Sequence, residues 1–306
     1  MTDATTRVVG IHELVAGDVV ADVSETAASL RRLTVRGVDL VRGTLDDEPP
    51  LGAGMVLVPW PNRVEDGWWA LDGAPQQLEL TEPELGNANH GLLARSRYEV
   101  VERSADRVKL AARVARSSGY PFQLDTAVEY ALTPDGVDVT HRITNLSDRE
   151  APVALGAHPY LRLGDIAVDD LVLRVDAGRS LVLDERNIPR GSVAVAGTPL
   201  DLSGGRLVRD APSHGCYTEL VSTDGIVQHG LRAADGREVR LWAEDAFGYV
   251  QVFVTEDFPT AAGPVSAIAV EPMTAPPNAL RTGESLRWLR PAETWVARWG
   301  IRLHAG

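Results

Sequence analysis

The sequence predicts an all-β protein, folded as one large antiparallel β-sandwich. Short segments in which apolar and polar residues alternate recur along the chain, and this period of two is typical of strands with one buried face. Clusters of Gly, Pro, Asp and Asn separate these segments, as tight turns require. No amphipathic helical pattern longer than about three turns is present, so βαβ units and dinucleotide-binding architectures are poorly supported.

The most complete hairpin pattern surrounds the turn sequence TPDG. Apolar residues alternate on both sides of this turn, at Leu124, Val128, Tyr130 and Leu132 before it and at Val137, Val139 and Ile143 after it. Similar short runs occur in GMVLVPW, DDLVLRV, REVRLWAE, YVQVFVTE, SAIAVE and WVARWGIRL. Because neither a Ser/Gly/Pro-rich linker nor an internal repeat interrupts this pattern, we expect residues 1–306 to form a single domain.

Composition and charge limit the classes of partner. The chain has 306 residues, of which 44% are hydrophobic and 24% are charged, values typical of a globular protein with a large core. Its formal net charge of -13 opposes binding to nucleic acid or to an anionic membrane, because both of these carry negative charge. A small neutral molecule is easier to accommodate.

Targeting signals and reactive side chains are scarce. The first residues, MTDATTRVVG, contain no basic segment followed by an apolar one, and no uncharged apolar run of about 18 residues occurs, so we expect a cytoplasmic protein. Cys216 is the only cysteine, which excludes an intrachain disulfide and a structural zinc site needing several thiolates. Lys109 is the only lysine and lies in an alternating, strand-like segment, a poor position for Schiff-base chemistry.

One carboxylate stands where an apolar strand meets a proline-rich turn, in AIAVEPMTAPPNAL. Glu271 precedes Pro272, and a residue before proline is pushed out of the helical region, so we expect Glu271 to end a strand. Pro276 and Pro277 then stiffen the following loop. Glu271 is therefore either an ordinary solvated loop acid or a carboxylate held at a sheet end.

The segment PWPNRVEDGWW combines hydrogen-bond donors with flat apolar faces. Asn62 and Arg63 follow two prolines and lie close in sequence to Trp60, Trp68 and Trp69. Sugars need directional donors for their hydroxyls and aromatic rings for their C–H faces. The segment thus suits a sugar site, although Arg63 in a surface ion pair and tryptophans in the core would fit the same pattern.

Two histidines also lie between turns and strands. His90 occurs in GNANHGLL between turn-forming residues and a glycine, and His158 follows an apolar strand in PVALGAHPY. A single histidine in such a place is usually structural. Together with Glu271, however, they form a set of proton-transfer groups at strand-to-turn junctions, which indicates a site.

These segments resemble the aldose 1-epimerase (mutarotase) family of the galactose mutarotase-like superfamily. The resemblance depends on PWPNRVEDG, NANHGLL, GAHPY and AVEPMTAPPNAL in that order, and on the closing LRPAETWVARWGIRL, so it spans nearly the whole chain. The family fold is a large β-sandwich, called a supersandwich, which agrees with the strand pattern above.

The resemblance implies an isomerase that interconverts the α and β anomers of a hexose or related aldose. Glu271 would be the general base that removes the C1 hydroxyl proton, and His158 the general acid that protonates the ring oxygen. The side chains expected to hold the sugar are Arg63, His90, Asn62 and Tyr160. The chemistry requires no metal and no organic cofactor, and we expect the partner to be a small-molecule sugar and the chain to act as a monomer or homodimer.

One departure from the family pattern concerns the substrate. Many relatives carry an Asp that contacts the sugar, whereas the matching segment here, APSHGCYTEL, offers His214 and Gly215. His214 is therefore a further candidate for substrate contact. Asp201 and Asp210 are alternative replacements for the missing acid.

Three alternative functions remain open from the sequence. Arg95 and Arg97 follow His90 and could meet an anion, which suits an epimerase acting on a hexose 6-phosphate or another acidic sugar. A noncatalytic sugar-binding protein would need neither Glu271 nor His158. Metal-dependent hydrolysis using the two histidines and the glutamate lacks a short His-x-x-His spacing.

Overall fold

The computed structural model describes residues 10–43 and 48–306, and strands dominate it. In chain order the strands begin with β1 Ile11–Ala16, β2 Val19–Ser24, β3 Leu30–Val35, β4 Val38–Asp39, β5 Val41–Arg42, β6 Val56–Leu57, β7 Arg63–Glu65, β8 Trp68–Leu71, β9 Ala74–Gln77 and β10 Asn87–Asn89. They continue with β11 Glu99–Arg103, β12 Arg107–Val114, β13 Leu124–Thr133, β14 Gly136–Asn145, β15 Ala151–Val153, β16 Gly156–Ala157, β17 Tyr160–Leu161, β18 Val172–Val175, β19 Ala177–Leu183 and β20 Pro189–Ala194. They end with β21 Leu202–Leu207, β22 His214–Leu220, β23 Ser222–Thr223, β24 Ile226–Arg232, β25 Glu238–Glu244, β26 Tyr249–Phe258, β27 Val265–Met273, β28 Arg287–Leu289 and β29 Thr294–His304.

Helical structure in the described part of the chain is short. It consists of the 3-10 turns Pro50–Gly52, Val168–Asp170 and Val208–Asp210 and of the single-turn helix α1, Ala279–Thr282. None of the described helices is both long and apolar enough to cross a lipid bilayer. Residues 1–9, which carry most of the N-terminal segment used to predict the location, lie outside the described residues.

Two large antiparallel sheets form the sandwich, which confirms the predicted fold class. The ten-stranded sheet has the order β11-β12-β13-β14-β29-β25-β24-β18-β21, with β23 paired to β24. The nine-stranded sheet has the order β20-β19-β22-β26-β27-β16-β6, with β17 paired to both β27 and β5. The strands β1 to β4 form a separate four-stranded sheet.

The hairpin predicted around TPDG is β13–β14. Its register runs without interruption from Leu124 opposite Asn145 to Thr133 opposite Gly136. Of the apolar residues that predicted it, Leu132 is half-buried and the others are buried. One hydrophobic core contains side chains from both large sheets, among them Val139 of β14 and Val252 of β26, so the core lies between the two layers.

The tryptophans near Arg63 divide between core and surface. Trp60 and Trp69 are almost fully buried, and Trp69 donates its indole N–H to the carbonyl of Gly119 at 2.8 Å. Trp68 is 38% exposed and lies under the guanidinium of Arg281, 5.1 Å from the ring centroid. Cys216 is buried and its thiol forms no disulfide.

Candidate active site

A cavity of about 610 Å³ brings most of the predicted site residues together. Its lining includes Asn62, Arg63, His90, His158, His214 and Glu271. These side chains come from five separate parts of the sequence and meet beside the β26–β27 hairpin of the nine-stranded sheet. The tryptophans do not belong to the lining, and the large aromatic side chain that does is Phe253 of β26.

Glu271 lies inside strand β27, opposite Gln251 of β26. The prediction that Glu271 ends the strand is wrong by two residues, because β27 continues to Met273. The backbone N–H groups two residues before and after Pro272 point toward the β16–β17 segment. Val270 donates to the carbonyl of Pro159 at 3.1 Å, and Thr274 donates to the carbonyl of Leu155 at 2.9 Å. That segment is interrupted between β16 and β17, so the missing N–H of Pro272 breaks no ladder hydrogen bond.

His158 occupies the interruption between β16 and β17. Its backbone is held on both sides, because its N–H donates to Met55 at 3.0 Å and its carbonyl accepts from Gly54 at 2.8 Å. Its ring stacks on Tyr160 with centroids 5.3 Å apart and an angle of 25° between planes. A Cβ at Gly52 would lie 3.3 Å from the imidazole, and Gly52 has a φ of +76°, so residue 52 favours glycine for two reasons.

Tyr160, predicted to bind the sugar, lies outside the cavity lining and beneath the ring of His158. Its hydroxyl donates to the carbonyl of Leu51 at 3.3 Å. Phe258 packs edge-on against it, with centroids 4.9 Å apart. The structure therefore places Tyr160 against the ring of His158 and not among the side chains that line the cavity.

Glu271 and His158 face each other in the cavity. The distance from His158 Nε2 to Glu271 Oε1 is 3.4 Å. Both side chains are almost fully buried, and Glu271 Oε2 has no hydrogen-bond partner among the described residues. A buried carboxylate oxygen without a partner is costly unless a ligand supplies the donor.

Asn62 and His90 hold each other through a reciprocal contact. The N–H of Asn62 donates to His90 Nδ1 at 3.2 Å, and the N–H of His90 donates to the carbonyl of Asn62 at 2.9 Å. Both residues have positive φ, +58° and +62°, which residues other than glycine rarely adopt. Since Nδ1 of His90 accepts, its neutral ring carries the proton on Nε2. The His90 and His158 rings lie edge to face, 5.4 Å apart.

Arg63 extends from β7 and is paired with Glu82. Its Nε and Nη2 donate to the two carboxylate oxygens of Glu82 at 2.8 and 2.7 Å. Both side chains are mostly buried, with exposed fractions of 14% and 13%. Glu82 was not predicted to be a site residue, because its segment TEPELG resembles an ordinary polar turn.

His214 begins β22 and stands edge-on to Phe253, with ring centroids 5.6 Å apart. It lines the cavity, whereas Asp201 and Asp210 do not. Gln251 also lines the cavity and accepts a long contact of 3.4 Å from the side chain of Asn62. Sequence reasoning missed Gln251, although a single amide inside the apolar run YVQVFV was a usable signal.

Burial shifts the pKa of four of the side chains that line the cavity. It raises the pKa of Glu271 to about 8, against the opposing effect of the Arg63 charge. It lowers the pKa of His158 to about 4, and Arg63 acts in the same direction. It also lowers the pKa of His214 to about 4 and holds that of His90 well below its ordinary value. Both members of the Glu271–His158 pair are therefore driven toward their neutral forms.

The two arginines considered as anion contacts are separated. Arg95 is exposed, lines the cavity mouth and makes no ion pair with another described residue. Arg97 forms an ion pair with Glu25 and does not line the cavity. Across residues 10–43 and 48–306, no group of three or more His, Cys, Asp or Glu is arranged to hold a metal ion.

The fold is that of the galactose mutarotase-like β-sandwich enzymes. It is similar to the GalM/aldose epimerase homologue of C. elegans, with a TM-score of 0.83, 17% identity, and 97% and 100% of the two chains covered. It is also similar to a galactose 1-epimerase of Lactobacillus acidophilus, with a TM-score of 0.80, 18% identity, and 100% and 97% covered. At these identities the likeness concerns the fold.

Sequence comparison gives the family. The aldose 1-epimerase family model matches residues 12–302, so the chain belongs to the aldose 1-epimerase family, whose members are isomerases. The uncharacterized protein YihR of Escherichia coli K12 is 32% identical over 275 residues, covering 89% of this chain and 86% of that protein. The resemblance, the fold class and the enzyme class predicted from the sequence are thereby confirmed.

Proposed function

We propose that the protein interconverts the α and β anomers of a hexose or related aldose by acid–base opening and reclosure of the sugar ring. The observation that carries this proposal is the buried pair of Glu271 and His158, 3.4 Å apart in a cavity lined by hydrogen-bonding side chains. Such a pair presents one proton acceptor and one proton donor to adjacent oxygens of a bound sugar.

The reaction transfers two protons and breaks one bond. Glu271 removes the proton of the C1 hydroxyl while His158 protonates the ring oxygen, so the bond between C1 and the ring oxygen breaks and C1 becomes a carbonyl. Rotation about C1–C2 exposes the other face of that carbonyl. The protons then return along the same paths and the ring closes as the other anomer. A positioned acid or base typically contributes ~10²–10⁴ in rate.

The mechanism requires the Glu271–His158 pair to hold one proton in total, and burial favours this singly protonated state. With both groups driven toward neutrality, the pair carries a single proton between a pH of about 4 and a pH of about 8. A sugar hydroxyl that donates to Glu271 stabilises its carboxylate form, so the proton moves from Glu271 to His158. Because the reverse reaction exchanges the roles of the two groups, one shared proton serves both directions.

The neighbouring side chains would hold the sugar in place. His90 offers an Nε2–H donor, because its Nδ1 accepts from Asn62. The Arg63 guanidinium would stabilise negative charge that develops on substrate oxygens as the ring opens. His214 and Gln251 line the same cavity and supply further polar contacts.

Exchange NMR or polarimetry on freshly dissolved α-glucose, α-galactose and a pentose tests the proposal. We expect the purified wild type to accelerate anomer exchange above the buffer rate for at least one of them, and to do so equally after treatment with a chelator. A protein that binds a sugar without speeding its anomer exchange is a binding protein, and that result would overturn the proposal.

A further inference from the structure

We propose that Glu82 is a positioning residue of this site, which fixes the Arg63 guanidinium in the orientation that meets the substrate. Glu82 lies between β9 and β10, lines the cavity and takes no part in the proton transfers described above. This inference rests on the proposed function, since it assigns a support to one of the side chains that hold the sugar.

The Arg63–Glu82 ion pair has a two-pronged geometry. Arg63 Nε donates to Glu82 Oε2 at 2.8 Å and Nη2 donates to Oε1 at 2.7 Å, so two parallel hydrogen bonds fix the plane of the guanidinium. A long arginine side chain otherwise loses conformational entropy whenever a ligand orders it. With Glu82 in place, that ordering precedes substrate binding.

The ion pair leaves one nitrogen of the Arg63 guanidinium free to donate to a ligand. Glu82 uses Nε and Nη2, and the remaining nitrogen, Nη1, makes only a long contact of 3.4 Å with the side-chain oxygen of Asn62. That oxygen already accepts the Arg63 backbone N–H at 3.0 Å. Since Nη1 carries two hydrogens, the carboxylate leaves this end of the guanidinium as the donor for a ligand in the cavity.

Glu82 is itself held in place by hydrogen bonds. The side chain of Asn87, which is fully buried, donates to Glu82 Oε2 at 3.0 Å and to the carbonyl of Arg186 at 3.1 Å. The backbones of Glu82 and Asn87 exchange two hydrogen bonds, at 3.0 and 3.1 Å. Arg186 closes the turn from outside by donating to the carbonyls of Leu85 and Gly86 at 2.7 and 2.9 Å. A carboxylate fixed by such a turn can impose its geometry on an arginine.

The Arg63 charge shifts the pKa values of the side chains around it. Its charge lowers the pKa of Glu271, His158, His90 and His214, so the position of this one guanidinium affects each titratable group that the mechanism and the sugar contacts use. Glu82 partly neutralises that charge at a fixed place. An ordinary surface ion pair has no such consequence.

A double-mutant cycle with Glu82→Gln and Arg63→Lys tests the inference on the full chain. The amide keeps the shape of Glu82 but cannot accept both hydrogen bonds, and lysine keeps the charge of Arg63 but cannot form the fork. We expect Glu82→Gln to lower kcat/KM about tenfold or more, with a raised KM and an alkaline limb of the pH profile moved to lower pH, because the Arg63 charge is no longer neutralised. In the Arg63→Lys background the same substitution should cost about twofold or less.

Asp22→Asn is the matched control. Asp22 is also almost fully buried and also pairs with an arginine, Arg32, but it lies on β2 of the four-stranded sheet and does not line the cavity. We expect its substitution to leave KM and the pH profile unchanged. If Glu82→Gln does not fold, Glu82→Asp keeps the charge but shortens the side chain by one methylene, and we expect it to raise KM in the wild-type background and not in the Arg63→Lys background.

The outcomes separate this inference from the proposed function. An active wild type, together with a Glu82→Gln variant whose KM and pH profile equal those of the wild type, contradicts the role of Glu82 and leaves the proposed function intact. Equal costs of Glu82→Gln in the wild-type and Arg63→Lys backgrounds also contradict it, because Glu82 would then act independently of Arg63. A wild type that does not accelerate anomer exchange contradicts the proposed function itself.

Discussion

The imidazole Nε2 of His158 lies 3.4 Å from the carboxylate Oε1 of Glu271, with both side chains almost fully buried. This contact is longer than strong charge-assisted hydrogen bonds, which are about 2.7–2.9 Å long. The two groups are close enough to address neighbouring oxygens of one sugar, but neither saturates the other. A tight ion pair at this place would have to be broken before either group could transfer a proton to a substrate.

Replacing Glu271 with glutamine tests its role as proton acceptor. Glutamine keeps the size of the side chain and one acceptor oxygen, but it does not take up a proton at neutral pH. We expect kcat to fall by about 10²-fold or more while Kd for the sugar changes only a few-fold. Exchange NMR gives kcat, and calorimetry gives Kd. A variant that retains most of the activity would make Glu271 a structural acid.

His158→Asn should resemble Glu271→Gln in its effect on kcat. Because the two side chains act in one cycle, the double variant should lose much less than the product of the two single losses. His229→Asn is a matched control, since His229 is also a buried histidine but lies outside the candidate cavity. If the losses multiply, the two groups act in separate steps and the shared-proton mechanism is wrong.

The sequence predicted the sandwich because its signals are local. Alternation and a TPDG turn give the β13–β14 hairpin directly, and these patterns need only neighbouring residues. The end of β27 was misplaced because Pro272 usually ends a strand, whereas here an interruption in the neighbouring segment removes the cost of its missing N–H. That interruption is a property of the assembled sheet and not of the segment around Pro272.

The candidate site was predictable only where residues stood out in their own segments. Glu271 and His158 each follow an apolar run in the sequence, so their chemistry was visible, and the structure places both in one cavity. Gln251 and Glu82 were missed because their contacts connect distant positions, as Asn62 and Gln251 do across 189 residues. No short segment contains such a contact.

The pH dependence of kcat/KM follows from the proton count of the Glu271–His158 pair. Burial lowers the pKa of His158 to about 4 and raises that of Glu271 to about 8, so between these values the pair carries one proton. Below about 4 both groups are protonated and no acceptor remains, and above about 8 neither is protonated and no donor remains. We therefore expect a bell-shaped profile whose limbs lie near these two values.

Exchange NMR at constant buffer concentration measures this profile after subtraction of the buffer-catalysed rate. The two limbs belong to the pair as a whole, so a change in either residue should alter both the height and the shape of the curve. A rate that keeps rising well above the Glu271 pKa would show that the enzyme needs no protonated donor. That outcome would contradict the acid–base pair.

Glu271 should also lower stability at neutral pH. Its folded-state pKa of about 8 is above the ordinary 4.5, so the folded protein keeps a proton that the unfolded chain releases between these values. The contribution of Glu271 to stability is fully present below about 4.5 and is lost as pH rises toward about 8. Because glutamine cannot ionise, the Glu271→Gln variant should gain stability over the wild type across this range, and urea unfolding at several pH values measures the difference.

Glu65→Gln should show the opposite sign in the same experiment. A hydrogen bond from Arg190 holds the pKa of Glu65 below its ordinary value, so its contribution is present above that value and is lost as pH falls through the folded-state pKa. Its replacement should therefore destabilise the protein at neutral pH and matter little in acid. Equal pH dependence in the two variants would contradict the assignment of the shifts to burial and to Arg190.

The charge of the preferred sugar follows from the balance of charges around the cavity. Arg95 is available at its mouth, but Glu48 and Glu84 also belong to the lining and would repel an anion. We therefore expect a neutral aldose to be a better substrate than a hexose 6-phosphate, and Arg95→Ala to leave kcat/KM for neutral sugars nearly unchanged. Arg97→Ala is the control, since Arg97 is paired with Glu25 away from the lining. If hexose 6-phosphate turns over about tenfold better than every neutral hexose, and Arg95→Ala but not Arg97→Ala removes this advantage, the enzyme acts on an acidic sugar that Arg95 binds.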